Sequence, residues 1–290
     1  MKRKIPLNGK EWIKRSISIW QIPWTKEERE IKRMVHPAIF PEELARRFIE
    51  VYCPPEGWVI DPFMGSGTTL IAARKMDRNV TGYDVDSEYF HFAYNRVGEL
   101  FIPDKYELET LRAKDGSATD AIMKDERSRV ELHLADAREL SKEWYRLEDR
   151  YDLCFTSPPY WNIHYQKRTA NGKASRKYYK DEDADIGHYE RYEIFINQLK
   201  ELVFSPLHRI VKPGGHCIII CMDLRKKVTF YPLHMDIAET MKSIGWQFED
   251  IIVWDRRQDY NNLRPLGYPY VFRVNKVHEY CLIFKRWSPT

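Results

Sequence analysis

The sequence lacks several patterns that would assign a function class directly. It has five cysteines but no C-x-x-C pair and no Cys/His cluster at zinc spacing, which argues against a zinc site or a disulfide scaffold. The longest apolar run is far below the roughly 20 residues that span a bilayer. No apolar segment follows the basic start at residues 1–4. We therefore expect a cytoplasmic protein with reduced, buried thiols, no metal site and no membrane contact.

A large excess of charge of one sign is also missing. Lys and Arg number 47 and Asp and Glu 43, so the formal net charge is only +4. This mild basicity permits an acidic partner without requiring one. The 290 residues are 43% hydrophobic, which is enough to build a sizeable core. We expect a single domain over residues 1–290.

Short apolar segments alternate with segments of helical periodicity along most of the chain. The helical segments are predicted at 41–52, 68–75, 87–100, 190–211 and 232–244. The strand-like segments are predicted at 57–61, 79–84, 130–136, 151–156, 216–222, 247–254 and 278–285. This alternation predicts an α/β fold with a doubly wound, mostly parallel, seven-stranded sheet.

Polar side chains stand where four of these strands end. They are Asp61, Asp84, Asp136 and the pair Thr156 and Ser157. In open α/β sheets, ligands bind outside the carboxyl ends of the strands, so a series of polar ends predicts a line of ligand contacts. The alternative for each acid is a helix N-cap or a solvated turn.

The turn after the first of these strands is rich in glycine. Residues 61–69 read D-P-F-M-G-S-G-T-T. No lysine follows the last glycine, so the turn is not a triphosphate-binding loop, and the third glycine of a dinucleotide fingerprint is also absent. A tight strand-to-helix turn is the simplest alternative.

As a whole, this string closely resembles motif I of the S-adenosylmethionine-dependent amino-methyltransferases of DNA. The resemblance implies a Rossmann-like class I methyltransferase fold and S-adenosylmethionine as cofactor. It implies that Asp84 holds the ribose hydroxyls and Asp136 the adenine amino group. Residues 36–44 resemble motif X, which packs beside the cofactor, with plain N-terminal packing as the alternative. The implied cofactor-binding residues are Phe40, Asp61, Pro62, Phe63, Gly65, Ser66, Gly67, Thr68, Asp84, Asp136 and Thr156.

Residues 157–160 read S-P-P-Y and resemble motif IV, the catalytic tetrapeptide of the same family. An exocyclic amino group of a base is a poor nucleophile, because its lone pair is delocalised into the ring. Ser157 Oγ and the Pro158 carbonyl would accept its hydrogens, and Pro158 and Pro159 would hold these acceptors rigidly. Tyr160 would stack on a target base flipped out of the duplex. The alternative is an ordinary proline-rich strand exit.

In this family S-P-P-Y mostly accompanies methylation of cytosine N4, whereas D-P-P-Y and N-P-P-Y mostly accompany methylation of adenine N6. The resemblance therefore implies a site-specific DNA methyltransferase that acts on cytosine N4 by direct in-line attack. Adenine N6 in DNA or a base in RNA is the alternative within enzymes. A catalytically silent nucleic-acid-binding module is the alternative from another class. The motif order here is X, I, IV, whereas S-P-P-Y members commonly carry motif IV before motif I.

Double-stranded DNA is the expected partner, held by two loops at 161–188 and 256–276; a cognate restriction endonuclease and the oligomeric state are left open. Basic and aromatic residues interleave in the first loop, which suits phosphate contact and base stacking. A solvated charged loop is the alternative interpretation of the first loop, and core packing is the alternative for Trp161.

Residues 101–128 are predicted to be a helical or mobile insertion. The candidate nucleic-acid contacts are Trp161, Lys167, Arg168, Arg176, Lys177, Arg256, Arg257, Asn261 and Arg264, with residues 225–227 as a further basic cluster.

Overall fold

The computed structural model describes residues 7–34, 39–113, 118–162, 186–259 and 268–287, together with positions 5, 116, 263, 265 and 266. Ten strands form one sheet, and two more form a small hairpin, β9–β10. In chain order the strands are β1 (Ile19–Gln21), β2 (Trp58–Asp61), β3 (Asn79–Asp84), β4 (Glu107–Arg112), β5 (Ala118–Lys124), β6 (Arg129–Leu134), β7 (Tyr151–Thr156), β8 (Val211–Cys221), β9 (Leu224–Lys226), β10 (Thr229–Tyr231), β11 (Trp246–Asp255) and β12 (His278–Arg286).

The helices pack on both faces of the large sheet. In chain order they are α1 (Gly9–Arg15), α2 (Lys26–Met34), α3 (Glu42–Tyr52), α4 (Thr68–Lys75), α5 (Ser87–Gly98), α6 (Leu140–Leu147), α7 (Tyr192–Leu199), α8 (Ser205–Ile210) and α9 (Leu233–Ile244). A π-helical turn, Lys200–Phe204, joins α7 to α8 and makes one continuous helical segment, as predicted. Pro206 has no N–H to donate, which favours a changed hydrogen-bonding pattern in the turn before it. No helix among the described residues is long and apolar enough to cross a bilayer.

The sheet has the strand order β1-β11-β12-β8-β7-β2-β3-β6-β5-β4. From β2 the chain runs outward through β3 to β6, then returns to the other side of β2 and continues through β7 to β8. Strands β6, β3, β2, β7 and β8 pair in parallel, whereas β12 runs antiparallel to both β8 and β11. The strand order therefore reverses between β2 and β7, which is where such sheets bind ligands.

The predicted count of seven strands is wrong at the two edges of the sheet, although all seven predicted strands are present at its centre. At one edge β1 pairs in parallel with β11. At the other edge β4 and β5 form an antiparallel hairpin that pairs with β6. The helical character predicted for the insertion at 101–128 is therefore wrong, because its described residues include these two strands. All but one of the β4 residues are exposed, so β4 lacks the apolar alternation by which a strand is recognised in a sequence.

Two hydrophobic clusters cover the two faces of the sheet. On β7, Leu153 and Phe155 belong to the cluster that includes α3, α4 and α5. Cys154, which lies between them, belongs to the cluster beneath α7, α8 and α9, and so does Tyr151, which precedes a register shift in the pairing with β8. This alternation shows that β7 is buried on both faces, as a central strand should be. All five cysteines are buried.

Candidate active site

Asp61, the last residue of β2, joins three elements at the place where the strand order of the sheet reverses. Its Oδ2 accepts a hydrogen bond from the Thr69 hydroxyl on α4 at 2.5 Å. Its Oδ1 accepts from the Thr156 hydroxyl at the end of β7 at 2.7 Å and from the Phe63 backbone N–H at 3.1 Å. Burial raises the pKa of Asp61 to about 6, and these hydrogen bonds oppose the rise. Asp61 therefore connects the glycine turn to the strand that carries the S-P-P-Y corner.

The two glycines of the turn have different physical reasons to be glycine. Gly67 is the N-cap of α4, with φ of 79°, and a Cβ there would lie 2.9 Å from Ala93 Cβ on α5. Gly65 has φ of 48°, but a Cβ there would meet no atom within 4 Å. Gly67 thus permits helix packing, whereas Gly65 borders open space. Arg96 on α5 holds the turn between them by donating to the Ser66 carbonyl at 2.6 Å.

Asp84, the last residue of β3, faces the same turn. Its Oδ2 accepts from the Gly65 N–H at 2.8 Å and its Oδ1 from the Asp86 N–H at 2.9 Å. Burial raises the pKa of Asp84 to about 7, and the negative charges of Asp86 and Asp61 add to the rise, whereas the two backbone N–H groups oppose it. A carboxylate has about four lone-pair positions, so each oxygen can accept a further hydrogen bond. Asp84 can therefore receive a pair of hydroxyl groups.

Asp136 is a helix N-cap, which was the alternative to a ligand contact in the sequence analysis. Its side chain caps the short 3-10 helix Ala137–Glu139 by accepting from the Arg138 N–H at 2.8 Å. It also forms an ion pair with the Arg138 guanidinium, whose Nε lies 2.7 Å away. A contact with an adenine amino group would therefore be made by a carboxylate that is already paired.

The remaining residues implied as cofactor contacts lie around these acids. Phe40 packs its ring edge-on against Phe155 on β7, at 5.3 Å between centroids. Ser66 and Thr68 are buried in the turn, with 3.3 Å between their hydroxyl oxygens. Pro62 is buried as well. Positions 36–38 of the motif X-like segment lie outside the described residues.

The S-P-P-Y corner is connected by hydrogen bonds to the far strand β12. Ser157 Oγ lies 3.1 Å from Tyr160 Oη, and Tyr160 donates to Glu279 Oε2 at 2.8 Å. Burial, followed by the negative charge of Glu279, raises the pKa of Tyr160 well above its ordinary value, so its hydroxyl stays protonated. Glu279 is 4% exposed and is also bonded to Arg256. The sequence analysis missed Glu279, although an acid at the start of an apolar strand is a signal that could have found it.

Trp161 lies in the core, the alternative that the sequence left open. Its side chain is 3% exposed and its indole N–H donates to the Tyr189 carbonyl at 2.6 Å. The rings of Tyr192 and Tyr231 pack against it, and the Lys226 ammonium lies 4.3 Å from its ring centroid. The predicted nucleic-acid contact of Trp161 does not fit this position, because no face of the ring is available for stacking.

The other predicted nucleic-acid contacts divide into two groups. Arg256 is 12% exposed and is paired with Glu279 and Asp259, which corrects its prediction as a DNA contact. Arg257 is paired with Asp255 but keeps 68% of its side chain exposed. Six further predicted contacts lie outside the described residues: Lys167, Arg168, Arg176, Lys177, Asn261 and Arg264.

A profile of the DNA methylase family matches residues 2–95 and 151–290. The chain belongs to this family of N6/N4 DNA methylases. The matched ranges contain the glycine turn, Asp84, the S-P-P-Y corner and Glu279, whereas the unmatched interval contains the β4–β5 hairpin. Family membership assigns S-adenosylmethionine as the cofactor.

Several relatives match shorter parts of the chain. Type II methyltransferase M.ScaI of Streptomyces caespitosus is 34% identical over 87 residues, which are 29% of each protein. Type II methyltransferase M.MthZI of Methanothermobacter thermautotrophicus is 44% identical over 62 residues, 21% of this chain and 18% of the relative. The matches thus span only about a fifth to a third of these relatives. The crystal structure of an S-adenosylmethionine-dependent methyltransferase from Methanosarcina mazei is 12% identical, with a TM-score of 0.43 over 81% of this chain and 95% of that chain.

Proposed function

We propose that this protein transfers a methyl group from S-adenosylmethionine to the exocyclic amino group of a base in DNA, with cytosine N4 as the preferred target. The observation that carries the proposal is the 2.7 Å hydrogen bond from Thr156 to Asp61. Asp61 opens the glycine turn and Thr156 directly precedes Ser157, so this bond holds the cofactor turn and the catalytic corner at one sheet edge. A methyl donor and an amino acceptor bound at that edge would be neighbours, as direct transfer requires.

The residues around the glycine turn fit the cofactor. Open space borders Gly65, and the Asp84 carboxylate beside it retains acceptor capacity for two ribose hydroxyls. When bound, S-adenosylmethionine supplies a methyl group on a positively charged sulfur. The buried carboxyl groups of Asp61 and Asp84 would favour that positive charge in their ionised forms.

The S-P-P-Y corner supplies the acceptors for the target amino group. Ser157 Oγ and the Pro158 carbonyl accept its two hydrogens, which concentrates electron density on the nitrogen. The fixed φ of Pro158 and Pro159 keeps these acceptors from relaxing, so their orientation is prepared before the substrate arrives. Direct in-line attack of the nitrogen on the methyl carbon would form the N–C bond as the S–C bond breaks. The cofactor would be left as a neutral thioether and the amino group would lose one proton, so no covalent enzyme intermediate is needed.

The choice of base rests on Ser157. A serine at the first position of the tetrapeptide mostly accompanies methylation of cytosine N4 in the family, which supports that target. Adenine N6, or a base in RNA, is the second candidate because the same two acceptors would serve any exocyclic amino group. Gly65, Asp84 and Tyr160 are all present, which argues against a silent binding module.

The test is transfer of a tritiated methyl group from S-adenosylmethionine to duplex DNA, followed by nucleoside chromatography. We expect label in N4-methylcytosine. Label in N6-methyladenine would overturn the cytosine assignment but keep the enzyme class. Cofactor binding without transfer to duplex DNA or to RNA would instead support the silent module. Sequencing of the methylated duplex would then identify the recognition site.

A further inference from the structure

The hydrogen bonds at the catalytic corner have a direction that their donors and acceptors determine. A tyrosine hydroxyl has one hydrogen, and Tyr160 has two oxygen neighbours, Glu279 Oε2 at 2.8 Å and Ser157 Oγ at 3.1 Å. A carboxylate can only accept, so the Tyr160 hydrogen goes to Glu279. The Ser157 hydrogen must then point to Tyr160 Oη. This arrangement leaves the lone pairs of Ser157 Oγ for another donor.

Glu279 is held in place by a second partner on its other oxygen. Arg256 donates to Oε1, whereas Tyr160 donates to Oε2. Arg256 is itself fixed, because its Nε donates to Asp259 Oδ2 at 3.0 Å. Asp259 in turn accepts from Lys32 on α2 at 2.9 Å. Glu279 therefore presents one particular oxygen, Oε2, to Tyr160.

We propose that Glu279 is a positioning residue that, through Tyr160, orients the Ser157 hydroxyl as an acceptor for the target amino group. This inference rests on the proposed function, because an amino group presents hydrogens and requires acceptors. With the opposite direction, Tyr160 would donate to Ser157, and the Ser157 hydrogen would be directed at the hydrogens of the base. Glu279 thus acts without touching the substrate.

The substitution Glu279→Gln tests the direction of this chain. Because Arg256 donates to Oε1, it selects the amide oxygen of the glutamine and turns the amide NH₂ toward Tyr160. Tyr160 then accepts from the amide and donates to Ser157. We expect the single-turnover rate on in vitro amplified duplex DNA to fall about 100-fold, which is typical when one preorganised group is lost. S-adenosylmethionine affinity, measured by calorimetry, should not change.

Adding Tyr160→Phe to Glu279→Gln shows whether the lower rate comes from the reversed hydrogen bonds or from structural damage. With no hydroxyl at position 160, there is no chain to reverse, so the double variant should be about 10-fold faster than Glu279→Gln alone. Tyr160→Phe alone should match the double variant. Glu279→Asp keeps a carboxylate and should stay within about 10-fold of the wild type. A double variant no faster than Glu279→Gln, or a Glu279→Gln variant at the wild-type rate, would overturn the inference.

Two controls complete the experiment. Glu131→Gln changes an equally buried glutamate on β6 that is ion-paired to Arg129 and to Arg150, and it should leave the rate unchanged. If Glu279→Gln fails to fold, Tyr160→Phe decides, since an unchanged rate would show that the Ser157 orientation does not matter. If the wild type transfers no methyl group, the proposed function falls and this inference with it. If the wild type transfers methyl groups but the rates of the variants rank in another order, this inference alone is excluded.

Discussion

Thr156 on β7 donates its hydroxyl hydrogen to Asp61 on β2 across 2.7 Å. The two residues are 95 positions apart in the chain, and both side chains are buried. They end adjacent parallel strands at the point where the strand order reverses. The bond thus sets the distance between the glycine turn and the catalytic corner, and its loss should affect stability and turnover together.

Thr156→Val removes this bond while keeping the shape of the side chain. One acceptor position of a buried carboxylate is then unsatisfied, and we expect a loss of about 1–3 kcal/mol in the free energy of unfolding. Urea denaturation measures the loss. Thr229→Val, at an exposed position on β10, is the matched control and should be close to neutral. Equal effects of the two substitutions would contradict the role of the bond.

Alanine at the two turn glycines should separate folding from cofactor binding. Both positions have positive φ, which costs a residue with Cβ about 1–2 kcal/mol. Gly67→Ala also places its Cβ 2.9 Å from Ala93 Cβ, and we expect about 1–3 kcal/mol more from this overpacking. Gly65→Ala meets open space and should instead weaken cofactor affinity. Thermal unfolding measures the loss of stability and calorimetry measures the cofactor affinity. A larger loss of stability in Gly65→Ala and a larger loss of affinity in Gly67→Ala would exclude the assigned roles.

The buried carboxyl group of Asp84 predicts that stability depends on pH. Burial raises its pKa to about 7 in the folded state, whereas an ordinary carboxyl group in an unfolded chain has a pKa near 3.9. The stabilisation from proton uptake is complete below the unfolded value and is lost as the pH rises through 7. Between pH 6 and pH 8 we expect the free energy of unfolding to fall by about 1 kcal/mol from this residue.

Urea denaturation at the two pH values checks this dependence. Asp84→Asn has no carboxyl group to titrate, so the difference between pH 6 and pH 8 should shrink in that variant. The same substitution should weaken S-adenosylmethionine binding at both pH values. An Asp84→Asn protein with the full wild-type pH dependence would show that another group is responsible.

Ser157→Ala should separate chemistry from cofactor binding. Ser157 Oγ forms a hydrogen bond with the Tyr160 hydroxyl and none with the glycine turn or Asp84 among the described residues. Removal of the Ser157 hydroxyl should therefore leave the glycine turn and Asp84 intact. We expect kcat to fall about 100- to 1,000-fold, as for the loss of one preorganised electrostatic contact. Calorimetry with S-adenosylmethionine should give an unchanged Kd. A matching loss of cofactor affinity would contradict the assignment of Ser157 to the target amino group.

The β9–β10 hairpin offers a basic surface beside the catalytic corner, since Lys226 and Tyr231 pack on Trp161. Its exposed cations are Arg225 and Lys227. If both contact phosphates, the double Arg225→Gln, Lys227→Gln variant should lower the slope of log Kd against log salt by about two.

Binding of duplex DNA at several salt concentrations measures this slope. The matched control is the pair Lys10→Gln and Lys14→Gln on the exposed surface of α1. Helix α1 borders a cavity of about 970 Å³ that is lined by Gly214 and Lys285, near the ends of β8 and β12 that lie away from the S-P-P-Y corner. Equal loss of slope in both double variants would show that binding is not directed to the hairpin.

Most of the central fold could be predicted from the sequence, because its signals lie in contiguous residues. Seven strands and the bounds of α4 follow from apolar periodicity. The edge strands could not be predicted in this way. Strand β1 has three residues, and β4 is exposed, so neither carries a burial pattern of its own. Their pairing depends on neighbours distant in the chain.

The sequence alone determined the family and predicted the chemistry of two short strings, the glycine turn and S-P-P-Y. Such strings are local because a turn or a rigid corner is built by adjacent residues. Only the tertiary structure decided which partners complete them. Tyr160 and Glu279 are 119 positions apart, and Trp161, the residue after Tyr160, lies in the core. Contacts of this kind arise when strands from distant segments pack into one sheet, and no local pattern encodes that pairing.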